Sequence, residues 1–446
     1  MKSIRTYRFL FYAFILWMMP LSAVLAQESR SSLDTNSHIK NTNDKELDFS
    51  FFGNSLRAAR MKTIHVESAG EYEVVQAWNK YKKVNGVDQV MTSLRSLSDE
   101  LGLNDWFVFE LVRFYTNELL RSGSPIDRVV LQHYLLVEMG YDVRLARTQK
   151  QLLLLVPFEQ VVYEHDFVRA DGKDYYLFYD DLDSFEEELS VIYPCDPSKK
   201  NLGKGQILNL SFEGKPLKMS SGENRSFELD DGRIHVVCSI NDGVKEMLSN
   251  YPMMDLQCYT TQVVLPQFQQ SLIEQLKPQI EDMTQCEAAN ALLHFVQYVF
   301  GYKNDCESHG HEKAYFIEEN FYYDNNDCED RSILYAFLVR SLLGLDVQIV
   351  EYPGHECTAV HFTDCLTYGN GYYYGSDFYL ICDPSYVGAP IGRCMPKYRS
   401  AKPQVYISNK PTDHKNTNKS PLSPVLNKAI IMPDITIEFT ESDKLS

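Results

Sequence analysis

The stretch Asn326-Asp327-Cys328-Glu329-Asp330-Arg331-Ser332-Ile333-Leu334 decides how the chain is read, because a polar loop turns into an apolar helix there. With Asn326 or Asp327 as N-cap, Cys328 falls in the first helical turn. Free backbone N–H groups and the positive end of the helix dipole favour a thiolate at that place. The same N–H groups can hold an oxyanion during acyl transfer. Asp327, Glu329 and Asp330 work in the opposite direction, since nearby carboxylates raise a thiol's pKa. An active thiolate at Cys328 therefore needs an imidazolium close by.

Outward from this stretch, the pattern predicts a helix over Cys328–Leu343 stopped by Gly344, then strands at Asp346–Tyr352, Cys357–Phe362 and Asp377–Cys382. Tyr352-Pro353-Gly354-His355 reads as a turn. His355 and His361 compete for the role of base. If the last two strands pair antiparallel, the start of one lies beside the end of the other, so His355 meets Asp383. His361 lies about 20 Å further along at ~3.3 Å per residue and misses it. Cys328 is then the expected nucleophile toward an amide or ester carbonyl. His355 takes and returns the proton, and Asp383 orients the imidazole and stabilises its charge. The Cys328 backbone N–H is one candidate oxyanion donor, and Gln297 or Tyr302 is the candidate second. The chemistry calls for no cofactor and no metal. Cys306-Glu-Ser-His309-Gly-His311 lacks a clear fourth ligand and reads as an exposed loop. The stretch from Gly369 to Gly375 reads as a tyrosine-rich loop beside the cleft, able to contact peptide or sugar.

The rest of the chain divides into blocks. Residues 1–26 carry a basic start, an apolar run from Phe9 to Leu21 and small residues at Ser22–Ala26, the layout of a signal peptide. An uncleaved anchor is the alternative, but Pro20 and the small residues suit cleavage better. Residues 27–50 read as a flexible leader. Residues 51–185 read as an N-terminal α+β domain, with helices at Tyr72–Tyr81, Val87–Leu101, Trp106–Leu120 and Asp127–Met139. Strands follow at Tyr141–Ala146, Gln151–Val156 and Asp174–Phe178. Residues 186–265 read as a β-rich, sandwich-like domain with pieces at Ile207–Phe212, Ser226–Leu229 and Ile234–Ser239. Residues 266–396 hold a helical block from Pro266 to Phe300, a long loop over 304–326 and the Cys328 helix. Residues 397–446 read as a mostly flexible tail, in which the apolar stretch Ala429–Phe439 has no assigned place.

A weak repeat links two of these blocks. Asp127-Arg-Val-Val-Leu131 leads to Gly140-Tyr-Asp-Val143, as Asp330-Arg-Ser-Ile-Leu334 leads to Gly344-Leu-Asp-Val347. The first copy has Ser124 or Pro125 where the second has Cys328, so it reads as a degenerate copy without a thiol.

Charge and cysteines narrow the setting. Of 446 residues, 43 are Lys or Arg and 61 are Asp or Glu, for a net charge of −18, which excludes a nucleic-acid partner. The ten cysteines all follow the signal segment, where an exported protein can use them for disulfides. No CxxC pair occurs, so a zinc ribbon is not expected. The expected location is the periplasm, cell envelope or exterior, with no stable membrane insertion after cleavage.

In Asn326–Leu334, Leu343–Val347, Tyr352–His355, Leu380-Ile-Cys-Asp-Pro-Ser-Tyr386 and Gly388-Ala-Pro-Ile-Gly392, the chain resembles the transglutaminase-like superfamily of papain-type enzymes. The resemblance spans roughly Pro266–Pro396, with Asn326 and Ser385 departing from the family's usual Gly and Thr. It implies an α+β fold in which a helix bearing the Cys packs on an antiparallel sheet bearing the His and Asp. It carries those roles onto Cys328, His355 and Asp383. The resulting expectation is an exported cysteine-dependent acyl-transfer enzyme acting on amide bonds of peptide, protein or cell-wall peptide. Hydrolysis is favoured over cross-linking. The alternative is a non-catalytic envelope-binding or scaffold protein using the β-rich block and the tyrosine-rich loop.

Overall fold

The computed structural model describes residues 45–148, 151–179, 192–195, 197, 204–212, 216–218, 223–364, 368–401, 403–405 and 430–431. The first element is a hairpin of β1 (Glu46–Phe51) and β2 (Asn54–Ala59), whose strict alternation buries Leu47, Phe49 and Phe51 on one face. Four helices follow: α1 (Glu71–Tyr81), α2 (Val87–Leu101), α3 (Asp105–Leu119) and α4 (Pro125–Met139). In α2 the buried Val87, Val90, Met91, Leu94 and Leu101 recur at helical spacing and form its core stripe. Helix α4 is capped by Ser124, whose Oγ accepts the Asp127 N–H while Asp127 Oδ2 accepts the Ser124 N–H. It stops at Gly140, whose φ of 106° is open to glycine at little cost.

A first sheet comes next, made of β3 (Arg144–Arg147), β4 (Leu152–Pro157), β5 (Phe167–Ala170), β6 (Lys173–Phe178) and β7 (Tyr193–Pro194), in the order β5-β6-β4-β3-β7. Central β4 is buried at every position, which suits its unbroken run of leucines. The hairpin β8 (Asn224–Asp230) and β9 (His235–Asn241) leads into α5 (Asp242–Ser249), α6 (Leu256–Thr261), α7 (Pro266–Ile280) and α8 (Gln285–Val299). The short pieces β10 (Gly301–Tyr302), α9 (Asp305–Ser308), α10 (Ile317–Tyr322) and β11 (Asn325–Asn326) then precede α11 (Cys328–Leu343). The second sheet contains β12 (Asp346–Tyr352), β13 (His355–His361), β14 (Gly371–Tyr374), β15 (Asp377–Cys382) and β16 (Gln404–Val405), in the order β14-β15-β13-β12-β16. A two-residue strand, β17 (Ile430–Ile431), lies parallel to β5 at the edge of the first sheet. The fold is α+β, with both main sheets built from antiparallel pairs apart from that edge.

The two sheets repeat one another pair by pair at a constant offset. Arg144↔Leu155 corresponds to Gln348↔Ala359, and Leu155↔Leu177 corresponds to Ala359↔Ile381. At the edges, Val168↔Tyr175 corresponds to Tyr372↔Tyr379, and Ala146↔Pro194 corresponds to Val350↔Val405. In each half a helix ends at a left-handed glycine, Gly140 or Gly344, just before the first strand. The helix starts match as well. Asp127 Oδ1 accepts the Val66 N–H at 2.7 Å, and Asp330 Oδ1 accepts the Tyr315 N–H at 2.8 Å.

The chain divides at Thr42, and all described residues lie in the unit that begins at Asn43. One core cluster runs from Leu47 in β1 to Cys382 in β15, through both helical layers. The stretch expected as a β-rich middle domain, 186–265, holds among its described residues the β8–β9 hairpin, the edge strand β7 and two helices, α5 and α6. Its Val236, Ile240, Val244 and Met247 belong to that same core. At Ile207–Phe212 only an isolated bridge forms, between Leu208 and Phe158, where a strand was expected. Three further differences concern flexibility. Glu46–Ser50, expected in the leader, are in β1; the loop expected over 304–326 contains α9 and α10; and the start of the expected tail is packed, with Tyr398 at 6% exposure. Short polar-looking stretches such as these carry their apolar residues too far apart for a periodic signal. The signal segment, the rest of the leader and most of the tail lie outside the described residues.

Candidate active site

Cys328 is the first residue of α11 and is half-buried. Asp327 is the N-cap, and its backbone N–H is accepted by Asp330 Oδ2 at 3.2 Å. Helix α11 packs on β12 and β13, and its Ile333, Leu334, Ala336 and Leu338 are wholly buried. The helix start is held from below by Arg331, which donates to Asn326 Oδ1 and to the Phe300 carbonyl. These contacts fix Cys328 at the rim of the second sheet.

His355 is the first residue of β13, reached through a two-residue turn in which Gly354 takes φ 67°. Asp383 follows the last residue of β15. Thr358 pairs with Cys382, so the start of β13 lies beside the end of β15. His355 Nε2 and Asp383 Oδ2 are 2.9 Å apart, and both side chains are buried. Asp383 Oδ1 accepts the N–H groups of Ser385 and Tyr386, which aims its other oxygen at the imidazole. His361 sits at the far end of β13, its Nδ1 3.1 Å from the Phe378 carbonyl.

Cys328 is engaged differently. Its thiol donates to Glu356 Oε2 at 3.0 Å and to Glu329 Oε2 at 3.3 Å, and among the described residues no hydrogen bond joins it to His355. Alternation along β13 explains the choice. Val360 faces the core that contains α11, whereas Cys357 and Ala359 face a second cluster with Tyr352, Tyr379 and Tyr398. Glu356 falls on the α11 side. His355 falls with Cys357 and Asp383, and its ring stacks on Tyr398 at 5.3 Å with an interplanar angle of 1°. His355 Nδ1 has no hydrogen-bond partner.

The electrostatics follow from this crowding. Burial, then the charges of Glu329 and Glu356, push the Cys328 thiol well above its ordinary value. Burial likewise raises Glu356, and burial with the neighbouring Asp327 carboxyl holds Glu329 well above the usual carboxylate range. The resting thiol is therefore protonated. Cys328 carries no disulfide, whereas Cys286 is disulfide-bonded.

The two candidate oxyanion donors differ. The Gln297 amide donates to the carbonyls of Asp383, Tyr386 and Ala389, and its oxygen accepts the Gly388 N–H. Its hydrogen-bonding capacity is spent on pinning the Asp383 loop, so it braces the site rather than facing a substrate. Tyr302 is half-exposed beside Arg331, and burial together with the Cys328 and Asp327 charges raises its hydroxyl pKa, so it stays a donor. The tyrosine-rich stretch expected beside the cleft is instead the edge strand β14. Its exposed Tyr373 and Tyr374 pair with Phe378 and Asp377, about 20 Å from Asp383 at ~3.3 Å per residue. In the Cys306–His311 loop, His309 bonds the Tyr315 hydroxyl and Cys306 is exposed beside Glu312.

Two residues of the site escape the sequence pattern. Tyr398 sits in a Lys- and Pro-rich stretch with no periodicity, yet its ring covers His355 and its hydroxyl donates to the Pro353 carbonyl. Glu356 had a signal, its place next to His355, but only the facing of β13 turns it toward Cys328. Among known proteins the chain stands apart: no family model matches it, and no curated protein matches it either.

Proposed function

We propose that the chain is an exported, transglutaminase-like cysteine enzyme that cleaves amide bonds of peptide, protein or cell-wall peptide substrates through a thioester at Cys328. The observation that carries this reading is the His355–Asp383 pair at 2.9 Å, with Nδ1 of His355 left open, on the sheet that supports the Cys328 helix. The order helix, hairpin, hairpin with Cys, His and Asp at their ends supports a transglutaminase-like core. The disulfide-bonded Cys286 supports export.

In this reading substrate entry turns the Cys328 side chain from Glu356 toward His355. The thiol proton passes to His355 Nδ1 as sulfur attacks the carbonyl carbon, and Asp383 stabilises the imidazolium. The Cys328 backbone N–H and the Tyr302 hydroxyl hold the oxyanion. Collapse breaks the C–N bond, His355 gives its proton to the leaving amine, and water then releases the acyl group from sulfur. Hydrolysis is favoured over transfer to an amine because nothing at the half-buried Cys328 excludes water.

One observation favours a second reading, a non-catalytic binding protein: the Cys328 thiol rests on two carboxylates rather than on an imidazole. A thiol-directed covalent probe separates the two. The enzyme reading expects Cys328 to be labelled, with labelling suppressed by His355→Ala and unaffected by His361→Ala. Mature protein whose Cys328 stays unlabelled while exposed Cys306 reacts, with no amidase activity lost in Cys328→Ala, leaves the binding reading standing.

A further inference from the structure

We propose that Asp305, Asp327 and Asp330, with Glu329 and Glu312 at the margin, bind one hard divalent cation, Ca2+ by the chemistry of the set. Asp305, Asp327 and Asp330 are 2%, 5% and 0% exposed, and each places a carboxylate oxygen within 4.8 Å of the others. Calcium–oxygen bonds of about 2.3–2.6 Å put opposed ligands about 5 Å apart, so this spacing is that of a coordination shell. A second group joins Asp305 to Glu329 and Glu312 under the same limit, and exposed Glu312 opens the set to solvent.

Two observations beyond the clustering point to a ligand. The first is Asp327 Oδ1, a buried carboxylate oxygen with no hydrogen-bond partner. A buried anion left unpaired is costly, and among the described residues no Lys or Arg forms an ion pair with Asp327, Glu329 or Asp330. The nearest lysine, Lys313, pairs with Glu319 instead. The second is the other half of the molecule. There Asp127 makes the same backbone contacts as Asp330, but Ser124 stands at the N-cap in place of Asp327 and His65 Nδ1 lies 3.2 Å from Asp127 Oδ2. The fold thus needs one carboxylate at this helix start. The second half has added two more where the first half has a hydroxyl and an imidazole.

The ligands are oriented in advance. Backbone N–H groups of Tyr315 and Asp327 hold Asp330, and that of Lys313 holds Asp305 at 2.6 Å. All the donors are carboxylate oxygens, which suit Ca2+ better than Zn2+, while Cys328 with Asp327 and Glu329 is the softer arrangement that would suit Zn2+. The proposal stands whether or not Cys328 is a nucleophile.

Isothermal titration of the EDTA-treated full chain with CaCl2, and in parallel with ZnCl2, tests it. One Ca2+ per chain is expected, with Asp305→Asn and Asp327→Asn each weakening binding at least ten-fold and Ser124→Ala leaving it unchanged. Thermal melts guard against a folding artefact. Without Ca2+ the Asn variants are expected to melt at or above the wild type, having lost mutual repulsion, and Ca2+ raises the melting temperature of the wild type alone. Should an Asn variant melt lower, Glu329→Gln supplies the affinity comparison, with a loss expected. No binding at about 10 mM Ca2+, unchanged affinity in the variants, or Zn2+ binding lost in Cys328→Ser without any Ca2+ binding overturns the proposal.

Discussion

The two sheets share every strand pairing, yet their catalytic-edge residues differ in chemical kind. At the position of His355 the first sheet has Gln151, and at the position of Asp383 it has Tyr179. At the helix start Pro125 stands where Cys328 does, each the first residue after its N-cap. Arg113 donates to the Tyr179 carbonyl much as Gln297 donates to the Asp383 carbonyl, so even the brace of the loop recurs. The difference teaches that strand register and helix capping are sufficient for the scaffold. The acid–base pair and the thiol are additions that the scaffold tolerates and does not require.

Substitutions can break or sharpen this comparison. The largest effect is expected at Asp383→Asn, which should cut the amidase rate about 10^3- to 10^4-fold by leaving His355 in the wrong tautomer. Gln151→Ala in the first half should leave the rate unchanged in the same assay. Next come the paired core leucines. Leu131→Ala and Leu334→Ala, both at wholly buried positions, should each cost about 2–5 kcal/mol. Because one core spans both halves, calorimetry should show a single transition lowered by either change, and two separable transitions would refute the shared core.

A pH test follows. Glu318 is wholly buried and raised from 4.5 to about 7, with desolvation as the cause, and its Oε1 accepts from Leu265 N–H and Gln269 Nε2. A raised folded-state carboxyl favours the protonated native form, so stability is lost as pH rises from about 4.5 to about 7 and stays lower above that. Glu318→Gln should remove that loss and gain on the order of 1–3 kcal/mol at pH 8 in denaturant titrations. A smaller effect is expected at Glu356→Gln. Freed of one acceptor charge, Cys328 should alkylate about ten-fold faster at pH 7.5, which corresponds to roughly one pKa unit. Smallest is Ser124→Ala, which should cost about 1 kcal/mol by uncapping α4 without touching activity.

Much of the second half was legible because its signals are local. The helix Cys328–Leu343 and the strands Asp346–Tyr352 and Asp377–Cys382 have the bounds that Asp327, Gly344 and Asp383-Pro384 announce. The His355–Asp383 contact was legible because antiparallel register converts chain order into proximity. The β1–β2 hairpin, α9 and α10 were not, since their short apolar sets are pinned by contacts with distant helices rather than by any run of their own.

By itself the chain determined the helix caps, the glycine stops and the side-chain alternation along each strand, because these arise from neighbours within a few residues. Only the tertiary structure decided that Tyr398 lies flat on His355, that Glu356 rather than the imidazole receives the Cys328 thiol, and that Asp305 comes to rest beside Asp327 and Asp330. Those outcomes depend on which face of β13 meets α11 and on how a loop folds back over a helix start. Both are set by packing between segments far apart in the chain.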